Sequence, residues 1–410
     1  MARPEPLAVW LNGMRIGTLS STGRPYDLSL RYSDQALERW PGNTALLSCS
    51  LPLSNRKLNA REYFRGLLPE GQQLNHLAAR AHVTVTDLYG LLKRYGRDVA
   101  GAVAVLPEDE DLLLHAGGAV PYDEASLAEE VVSLDDEPLA IHDDSVLSLP
   151  GLQNKLLLIR DGGVWCRPTG GRPSTHILKS EDRRFPGLVT MEAAGMTLAR
   201  RIGLTSVDVE VVTFGNIDCI IVSRYDREFD ADGRVVRVHQ EDVCQALGHN
   251  YEANRGGAKY EHGGGPGLAG VAQLLERHAV DPVRELTALV QVVTFNTVLG
   301  NADAHAKNIS LVHRSPGKVH LAPLYDTVPT ALFPKLPDRA AMYVNGQTAL
   351  SCVTVADVVA EAARWSLSRD TATEAAQATV TGMLAHLDGL PVELAALVSE
   401  RAERFTTPTE

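Results

Sequence analysis

The sequence has few cysteines, few aromatic residues and no long apolar run. Its five cysteines lie far apart and form no C-x-x-C pair, which argues against zinc ligation and predicts buried free thiols in a reducing compartment. No run of 18 apolar residues occurs, and the amino terminus lacks the charged start and apolar stretch of a signal peptide. We therefore expect a globular, cytoplasmic protein with no membrane contact.

Basic residues are in the minority, since 39 Lys and Arg stand against 51 Asp and Glu. The resulting net charge of −12 prevents the chain from coating a polyanion by bulk charge. Thirteen acidic residues and no basic ones lie between Glu108 and Asp144, so the rest of the chain carries a net charge of +1. We interpret this acidic segment as a solvated connector, while a docking surface for a basic partner is the alternative.

The first 107 residues combine signals for strands and helices. Two apolar runs, Leu7 to Leu11 and Met14 to Leu19, flank Asn12-Gly13, a pair that favours a tight hairpin turn. Helical spacing of apolar residues follows over 60–80 and 85–95. The pattern predicts a small α+β subdomain over residues 1–107 and an acidic connector over 108–147.

The pattern changes again after residue 147. Short β-rich runs, interrupted by one amphipathic helix near 190–202, predict a β-rich lobe over residues 148–239. Helices are predicted beyond this point, at 240–247, 268–279, 284–299, 355–366 and 370–402, which indicates a helical lobe over 240–410. A β lobe followed by a helical lobe is typical of nucleotide-dependent kinases, although the order alone is weak evidence.

A polar segment from Asn301 to Asn308 follows an apolar helix that stops at Gly300. Phosphoryl transfer needs a carboxylate to orient or deprotonate the attacking hydroxyl and an oxygen ligand for Mg²⁺, and Asp303 and Asn308 can supply both. Asp326 lies 18 residues after Asn308, a spacing that lets a strand, a turn and a second strand return it to the loop. A loop that only caps the helix is the alternative.

Candidate phosphate-binding residues lie upstream. The segment from Ser148 to Lys155 precedes an apolar strand, and backbone N–H groups in such a loop can bind anionic oxygens. Lys179 ends another strand and Glu192 opens the following helix; a strand lysine held by a helix glutamate fixes nucleotide phosphates in kinases. A surface turn, a surface lysine and a glutamate near a helix N terminus are the alternatives.

Seven ordered segments resemble the HipA-type toxin kinases of bacterial toxin–antitoxin modules over nearly the full chain. They are SLPGLQNKLLL from Ser148, THILK ending at Lys179, MEAAGMTLARRIGL from Met191, SRYDR from Ser223, RVHQEDVCQALG from Arg237, FNTVLGNADAHAKNISL from Phe295 and APLYD ending at Asp326. The resemblance implies an α+β, two-lobed protein-kinase-like fold with a small α+β N-terminal subdomain, a β-rich nucleotide lobe and an all-helical C-terminal lobe. The loop also resembles that of phosphoinositide kinases, so a lipid substrate stays open on this motif alone.

The resemblance implies a role for each matching residue. Asp303 would be catalytic, Asn308 and Asp326 would bind Mg²⁺, and Ser148 would be the site of inactivating autophosphorylation. Residues assigned to ATP are the phosphate loop (Gly151, Leu152, Gln153, Asn154, Lys155), Lys179, the hinge (Ser223, Arg224, Tyr225), and His305 and Lys307. Many family members have a carboxylate where Ser223 stands, which leaves a side-chain contact to adenine in doubt. His305 and Lys307 could either neutralise the transferred phosphoryl group or brace the loop.

The implied function is that of an ATP- and Mg²⁺-dependent Ser/Thr protein kinase, the toxin of a type II module. Family members phosphorylate an aminoacyl-tRNA synthetase, often the glutamate enzyme, and arrest translation. The implied partner is a HipB-type helix-turn-helix antitoxin that carries the main contact with operator DNA. A kinase acting on another protein, a lipid or a small molecule, and a non-catalytic corepressor, are the alternatives.

Overall fold

The computed structural model describes residues 4–111, 117–134, 148–150, 154–254 and 257–407. The chain forms two compact units. Unit 1 comprises Met1–Ser180, Val212–Glu241 and His313–Gly317, and unit 2 comprises Glu181–Val211, Asp242–Val312 and Lys318–Glu410. Across the described ranges, no helix has the length and apolar character needed to cross a membrane.

Strands and helices occur in short runs along the described chain. The strands are β1 (Leu7–Leu11), β2 (Met14–Ser20), β3 (Ser29–Tyr32), β4 (Leu58–Asn59), β5 (Val103–Pro107), β6 (Gly118–Pro121), β7 (Lys155–Asp161), β8 (Val164–Thr169), β9 (His176–Ser180), β10 (Val209–Phe214), β11 (Ile217–Ser223), β12 (Arg227–Phe229), β13 (Val235–Arg237), β14 (His239–Asp242), β15 (Ser310–Ser315), β16 (Lys318–Leu321), β17 (Arg339–Val344) and β18 (Gln347–Ala349). The α-helices are α1 (Asp34–Arg39), α2 (Arg61–Arg65), α3 (Gly71–Arg80), α4 (Leu88–Tyr95), α5 (Glu124–Ser133), α6 (Leu188–Arg201), α7 (Val243–Leu247), α8 (Leu268–His278), α9 (Pro282–Leu299), α10 (Val355–Ala362), α11 (Arg369–Ala385) and α12 (Val392–Thr406).

A five-stranded sheet in the order β4-β3-β2-β1-β5 organises the start of unit 1. The predicted hairpin between β1 and β2 is present, with Leu11 opposite Met14. Asn12 and Gly13 both have positive φ angles, 49° and 75°, which a two-residue turn of this kind requires. One apolar core joins this sheet to helices α2, α3 and α4.

A second sheet in the order β10-β11-β9-β7-β8-β6 forms the β-rich part of unit 1. Strands β7 and β9 are antiparallel, and Lys155 lies directly opposite Lys179. Side chains alternate between the faces of a strand, so these two lysines share a face, while Leu156 and Leu178 point to the other. Leu156 and Leu178 pack in a core that includes Leu127 of α5.

A buried ionic network stabilises unit 1 around Asp98. Its Oδ1 accepts a hydrogen bond from Arg227 Nη2 at 2.9 Å, and its Oδ2 accepts from the Ser174 amide and hydroxyl. Burial alone would raise the pKa of Asp98, but the positive charges of Arg227, Arg237 and Arg224 outweigh it and hold the pKa below its ordinary value. The carboxylate is therefore ionised while it is almost fully buried.

Helix α9 is the centre of unit 2, and α8, α10, α11 and α12 all pack against it. Asp281 caps its N terminus by accepting from the Arg284 amide at 3.1 Å, and Pro282 occupies its first turn. Twelve of its eighteen residues are buried, which explains why its sequence is rich in apolar residues. This helix fixes the position of the polar loop that follows it.

Two predicted helices differ from those in the structure. Residues His239–Asp242 form strand β14, and α7 begins only at Val243, because Asp242 forms a capping box with Gln245. The helix predicted over 370–402 is divided into α11 and α12, with Gly389 at a φ of 73° and Pro391 between them. Residues 240–410, which were expected to be all-helical, also contain strands β15 and β16 and a hairpin of β17 and β18.

The network around Asp98 generates a test of stability. Asp98→Asn removes one of the buried carboxylates that, together with Asp226, balance the guanidinium groups of Arg224 and Arg227, so we expect the free energy of unfolding to fall by about 3–5 kcal/mol. The loss should be full at neutral pH and diminish as the pH falls through the carboxylate range, because the native pKa is depressed. Urea denaturation measures both effects.

The matched control is Asp161→Asn, which breaks the half-exposed ion pair with Arg172. This variant should lower the free energy of unfolding by at most about 1 kcal/mol. An equal loss in the two variants would contradict a stabilising role for the Asp98 network.

Candidate active site

The polar segment Asn301 to Asn308, which we call the catalytic loop after its predicted role, begins where helix α9 ends. Gly300 stops the helix with a φ of 77°, a conformation that glycine adopts without steric cost. Thr330 holds the next residues, because its Oγ1 accepts from the Ala302 amide at 2.8 Å and donates to the Gly300 carbonyl at 3.0 Å. The start of the loop is thus fixed by backbone conformation and by one buried hydroxyl.

Hydrogen bonds within the loop bring its two ends together. The Asp303 carbonyl accepts from the His305 amide at 2.8 Å and from Asn308 Nδ2 at 3.0 Å. The Asn308 amide donates to the His305 carbonyl at 2.8 Å. Because Asn308 uses Nδ2 inside the loop, its side-chain oxygen is the atom left to contact a ligand.

Tyr260 holds the side chain of Asp303. Its hydroxyl donates to Asp303 Oδ1 at 2.7 Å. Its ring stacks on His262, with centroids 5.3 Å apart, and meets His305 edge-on at 5.0 Å. Sequence reasoning did not identify Tyr260, since it stands 43 residues before Asp303 and its only local signal is a glycine-rich segment.

Lys307 is buried and paired with a carboxylate. Its Nζ donates to Asp242 Oδ2 at 2.9 Å and lies 4.0 Å from the centroid of the Tyr251 ring. The other oxygen of Asp242 accepts from the Gln245 amide at the start of α7. Of the two roles left open for Lys307, these contacts favour bracing of the loop over contact with a phosphate.

His305 is buried beside Tyr260, and its Nδ1 has no hydrogen-bond partner within the described ranges. Burial and the positive charge of Lys259 hold the pKa of His305 well below its usual value, although Asp326 opposes the shift. The imidazole is therefore neutral near neutral pH. It can act as a hydrogen-bonding group but supplies no full positive charge.

Asp326 lies after β16 in a left-handed conformation, with a φ of 57°. Such a conformation costs a non-glycine residue about 1–3 kcal/mol and is concentrated at functional sites. The adjacent Tyr325 connects the segment to the catalytic loop, since its hydroxyl donates to the Lys307 carbonyl at 2.9 Å and lies 2.7 Å from Ser310 Oγ. The structure thus brings the segment of Asp326 together with the loop of Asp303 and Asn308.

Helix α6 approaches this segment so closely that one position must be glycine. A Cβ atom at Gly195 would lie 2.5 Å from the Thr327 carbonyl oxygen, a distance that real Cβ contacts do not show. Glu192, on the same helix, is buried, and its pairing with Lys179 stays a prediction. The glycine in the MEAAGMTLA segment is therefore explained by the contact of α6 with the residue that follows Asp326.

The candidate nucleotide residues of unit 1 lie on the second sheet. Lys155 is buried and its Nζ donates to the Pro150 carbonyl, while Lys179 is half-buried on the facing strand. Like charges placed opposite each other on neighbouring strands repel, so a bound anion would be stabilised beside them. Asn154 donates to the Leu134 carbonyl at 2.7 Å, and Gly151, Leu152 and Gln153 lie outside the described residues.

The predicted hinge residues follow strand β11. Arg224 is buried, and its guanidinium donates to Ser174 Oγ at 2.7 Å and to both oxygens of Asp226. The Tyr225 hydroxyl donates to Gln240 Oε1 at 3.0 Å. Because both long side chains are engaged within the protein, contact with adenine at this segment would come chiefly from the backbone.

Ser148 is fully buried in unit 1. Its hydroxyl donates to the Leu67 carbonyl at 3.2 Å, and its amide donates to the Asp98 carbonyl at 2.9 Å. In this conformation the hydroxyl is inaccessible to any phosphate donor. Phosphorylation of Ser148 therefore requires the segment to leave this position.

A polar cluster lies around Glu241, and ligand atoms of Cys49, Glu241 and His313 lie within 4.8 Å of one another. The Glu241 carboxylate accepts from the Ser48 hydroxyl, from the Cys49 amide at 3.0 Å and from His313 Nε2 at 2.9 Å. These hydrogen bonds account for the burial of its charge. The HQED segment is thus explained by structural contacts of Glu241 and by the helix cap of Asp242.

Comparison with known proteins agrees with the expectation from the sequence. The HipA N-terminal domain matches residues 7–106, and the HipA-like C-terminal domain matches residues 147–387. Y4mE of Sinorhizobium fredii, which is named as a kinase, is 38% identical over 353 residues, or 84% of this chain and 82% of its own. The serine/threonine-protein kinase toxin HipA of Shewanella oneidensis is 29% identical over 366 residues, or 84% of this chain and 80% of its own.

A solved structure shows the same fold. A chain in the complex of HipA, HipB and operator DNA from Shewanella oneidensis MR-1 aligns with 97% of this chain and 95% of its own length. The TM-score is 0.78 and the sequence identity is 25%. The predicted α+β kinase-like fold and the predicted kinase class are confirmed, and the chain belongs to the HipA family.

Proposed function

We propose that this protein is an ATP- and Mg²⁺-dependent Ser/Thr protein kinase that acts as the toxin of a type II toxin–antitoxin module. The observation that carries the proposal is the geometry of the catalytic loop, in which Tyr260 holds the Asp303 carboxylate and Asn308 closes the loop. A positioned carboxylate of this kind can accept the proton of an attacking hydroxyl. Asp303 is accordingly the proposed catalytic base.

The oxygen-rich donor set in unit 2 fits Mg²⁺. Asn308 keeps its side-chain oxygen for a ligand, and Asp326 offers a carboxylate in a strained conformation next to Tyr325. Carboxylate and amide oxygens are ligands that Mg²⁺ prefers in kinases, where the ion neutralises charge developing on the phosphate oxygens. His305 and Lys307 support this arrangement by packing and by the Asp242 pair rather than by contributing ligands.

The nucleotide is assigned to residues of unit 1. Lys179 is the proposed contact for the phosphates of ATP, and the backbone of Ser223 to Tyr225 is the proposed contact for adenine. Lys155 holds the phosphate loop through Pro150, so we assign it first to the conformation of that loop. Each assignment follows the family pattern at the matching position.

The toxin role and the partners come from the relatives. The Shewanella oneidensis homologue is named a kinase toxin, and its solved complex contains HipB and operator DNA. We therefore propose a HipB-type antitoxin as the partner, with operator DNA contacted mainly through it. We propose an aminoacyl-tRNA synthetase, of the glutamate type first, as the substrate.

Substrate and catalytic residue can be tested together. Wild-type protein with [γ-³²P]ATP should label one dominant band in a bacterial lysate, which mass spectrometry should identify as a synthetase. Asp303→Asn should lower this transfer by about 10²–10⁴-fold because the base is lost, while ATP affinity stays within about twofold. Asp370→Asn, an exposed carboxylate on α11, is the control and should transfer phosphate normally.

Three outcomes would change the assignment. A labelled protein that is no synthetase would refute the substrate, and label in a lipid fraction would favour the phosphoinositide-like alternative. Full transfer by Asp303→Asn would refute the catalytic residue.

Lys179→Met tests the phosphate contact. Loss of one hydrogen bond from a charged group should weaken the affinity for a fluorescent ATP analogue by about 10- to 100-fold. Thermal stability without nucleotide is measured in parallel, so that a loss of affinity caused by unfolding is recognised. Lys57→Met, at an exposed position of unit 1, should leave affinity unchanged; equal affinity for Lys179→Met and wild type would overturn the assignment.

Ser148→Ala tests autophosphorylation. Wild-type protein incubated with ATP should lose activity and carry phosphate on the peptide that contains residue 148, because a dianion cannot occupy the buried position of Ser148. Ser148→Ala should carry no phosphate there and keep its activity. Ser206→Ala, at an exposed serine, should behave like wild type. Phosphate found at another residue would move the regulatory site away from Ser148.

A further inference from the structure

We infer that Tyr260 is a positioning residue of the phosphoryl-transfer reaction, which orients the carboxylate of Asp303 that receives the substrate proton. This inference rests on the proposed role of Asp303. The hydrogen bond from the Tyr260 hydroxyl to Asp303 Oδ1, at 2.7 Å, carries it. No sequence pattern or family match assigned a role to this tyrosine.

The backbone of Tyr260 is fixed by a compact glycine-rich turn. Its carbonyl accepts from the amides of Gly263 and Gly265, both at 2.9 Å, and its own amide donates to the Gly257 carbonyl at 3.1 Å. A Cβ atom at Gly263 would lie 1.9 Å from the Gly257 carbonyl oxygen, and one at Gly265 would lie 2.4 Å from the Ala258 carbonyl oxygen. The turn can therefore form only with glycine at these positions.

The ring of Tyr260 is held between two imidazoles. His262 stacks on it with an interplanar angle of 28°, and His305 meets it at 84°. His305 is itself part of the catalytic loop and is 4% exposed. The hydroxyl is therefore aimed before a substrate arrives, which lowers the entropic cost of orienting the carboxylate.

The turn is joined to its surroundings at the residues on either side of Tyr260. The Lys259 carbonyl accepts from the Ala306 amide at 3.2 Å, and Glu261 Oε2 accepts from the Tyr343 amide at 2.6 Å. One neighbour of Tyr260 thus binds the catalytic loop, and the other binds strand β17. The tyrosine and the loop are held as one structural element.

The proposed role of Tyr260 needs only its hydrogen bond to Asp303, because the tyrosine keeps its own proton throughout the reaction. An ionised carboxylate has two oxygens that accept hydrogen bonds, whereas a tyrosine hydroxyl is a donor that keeps its proton near neutral pH. The hydrogen bond to Oδ1 fixes the rotation of the Asp303 carboxylate, and with it the direction from which the carboxylate accepts the hydroxyl proton of the substrate. The contact also prevents rotation of the carboxylate away from that orientation.

Tyr260→Phe is the test, because it keeps the stacked ring and removes only the hydroxyl. Initial rates of transfer from [γ-³²P]ATP are measured with casein as acceptor and as autophosphorylation. We expect kcat to fall about tenfold, the effect of losing one hydrogen bond to a charged group. The KM for ATP, the affinity for a fluorescent ATP analogue and the melting temperature should stay unchanged.

Tyr89→Phe is the matched control. Its hydroxyl donates to the Glu5 carbonyl at 2.6 Å in unit 1, outside the catalytic loop and the Tyr260 turn, so its removal should leave kcat unchanged. Asp303→Asn is measured in parallel to separate this inference from the proposed function.

The other possible outcomes separate the role of Tyr260 from the role of Asp303. Wild-type kcat in Tyr260→Phe with an inactive Asp303→Asn overturns the inference and leaves the proposed function standing. Parallel losses of kcat, ATP affinity and melting temperature assign Tyr260 a structural role and overturn the inference. An active Asp303→Asn, or a wild type that labels neither casein nor itself, overturns both.

Discussion

The buried ion pair between Lys307 and Asp242 is the interaction on which the geometry of the catalytic loop depends. A lysine that is 8% exposed is tolerated only with a counter-charge, and Asp242 supplies it at 2.9 Å. Asp242 also caps α7, so the charge that neutralises the lysine is anchored by a helix N terminus. The face of the Tyr251 ring adds a second stabilising contact to the same ammonium group.

Hydrogen bonds from residues distant in sequence hold the rest of the catalytic loop. Thr330 holds the start of the loop, Tyr260 holds its carboxylate, and Tyr325 joins it to the Asp326 segment. Each contact uses a hydroxyl, which adds no charge near a site that is proposed to bind phosphate. Preorganisation by neutral hydroxyl groups adds no further charge beside Asp303 and Asp326.

Features with local causes could be predicted from the sequence. Asn12-Gly13 predicted its hairpin because both turn residues need positive φ angles, and Gly300 predicted the end of α9 for a related reason. The candidate catalytic loop was therefore located correctly between a buried helix and a strand. The proposed site residues themselves stay predictions until the variants are measured.

Features with distant causes could not be predicted. The helix expected from residue 240 begins only at Val243, because Glu241 lies in strand β14, where its carboxylate forms hydrogen bonds with the side chains of Ser48 and His313. The partners of Asp303 and Lys307 lie 43 and 65 residues away, and no periodicity in the sequence encodes such a pairing. The contacts of Lys307 in the folded structure favour bracing of the loop over neutralisation of the transferred phosphoryl group, and the sequence alone did not distinguish these roles.

The close approach of α6 at Gly195 has a consequence for evolution. Any side chain there would push the backbone at Thr327, and with it the strained aspartate that precedes it, while leaving the helix itself intact. Under the proposed role of Asp326, a substitution at position 195 would act on the chemistry through the backbone of Thr327, so this glycine is constrained by the site as well as by the packing of the helix.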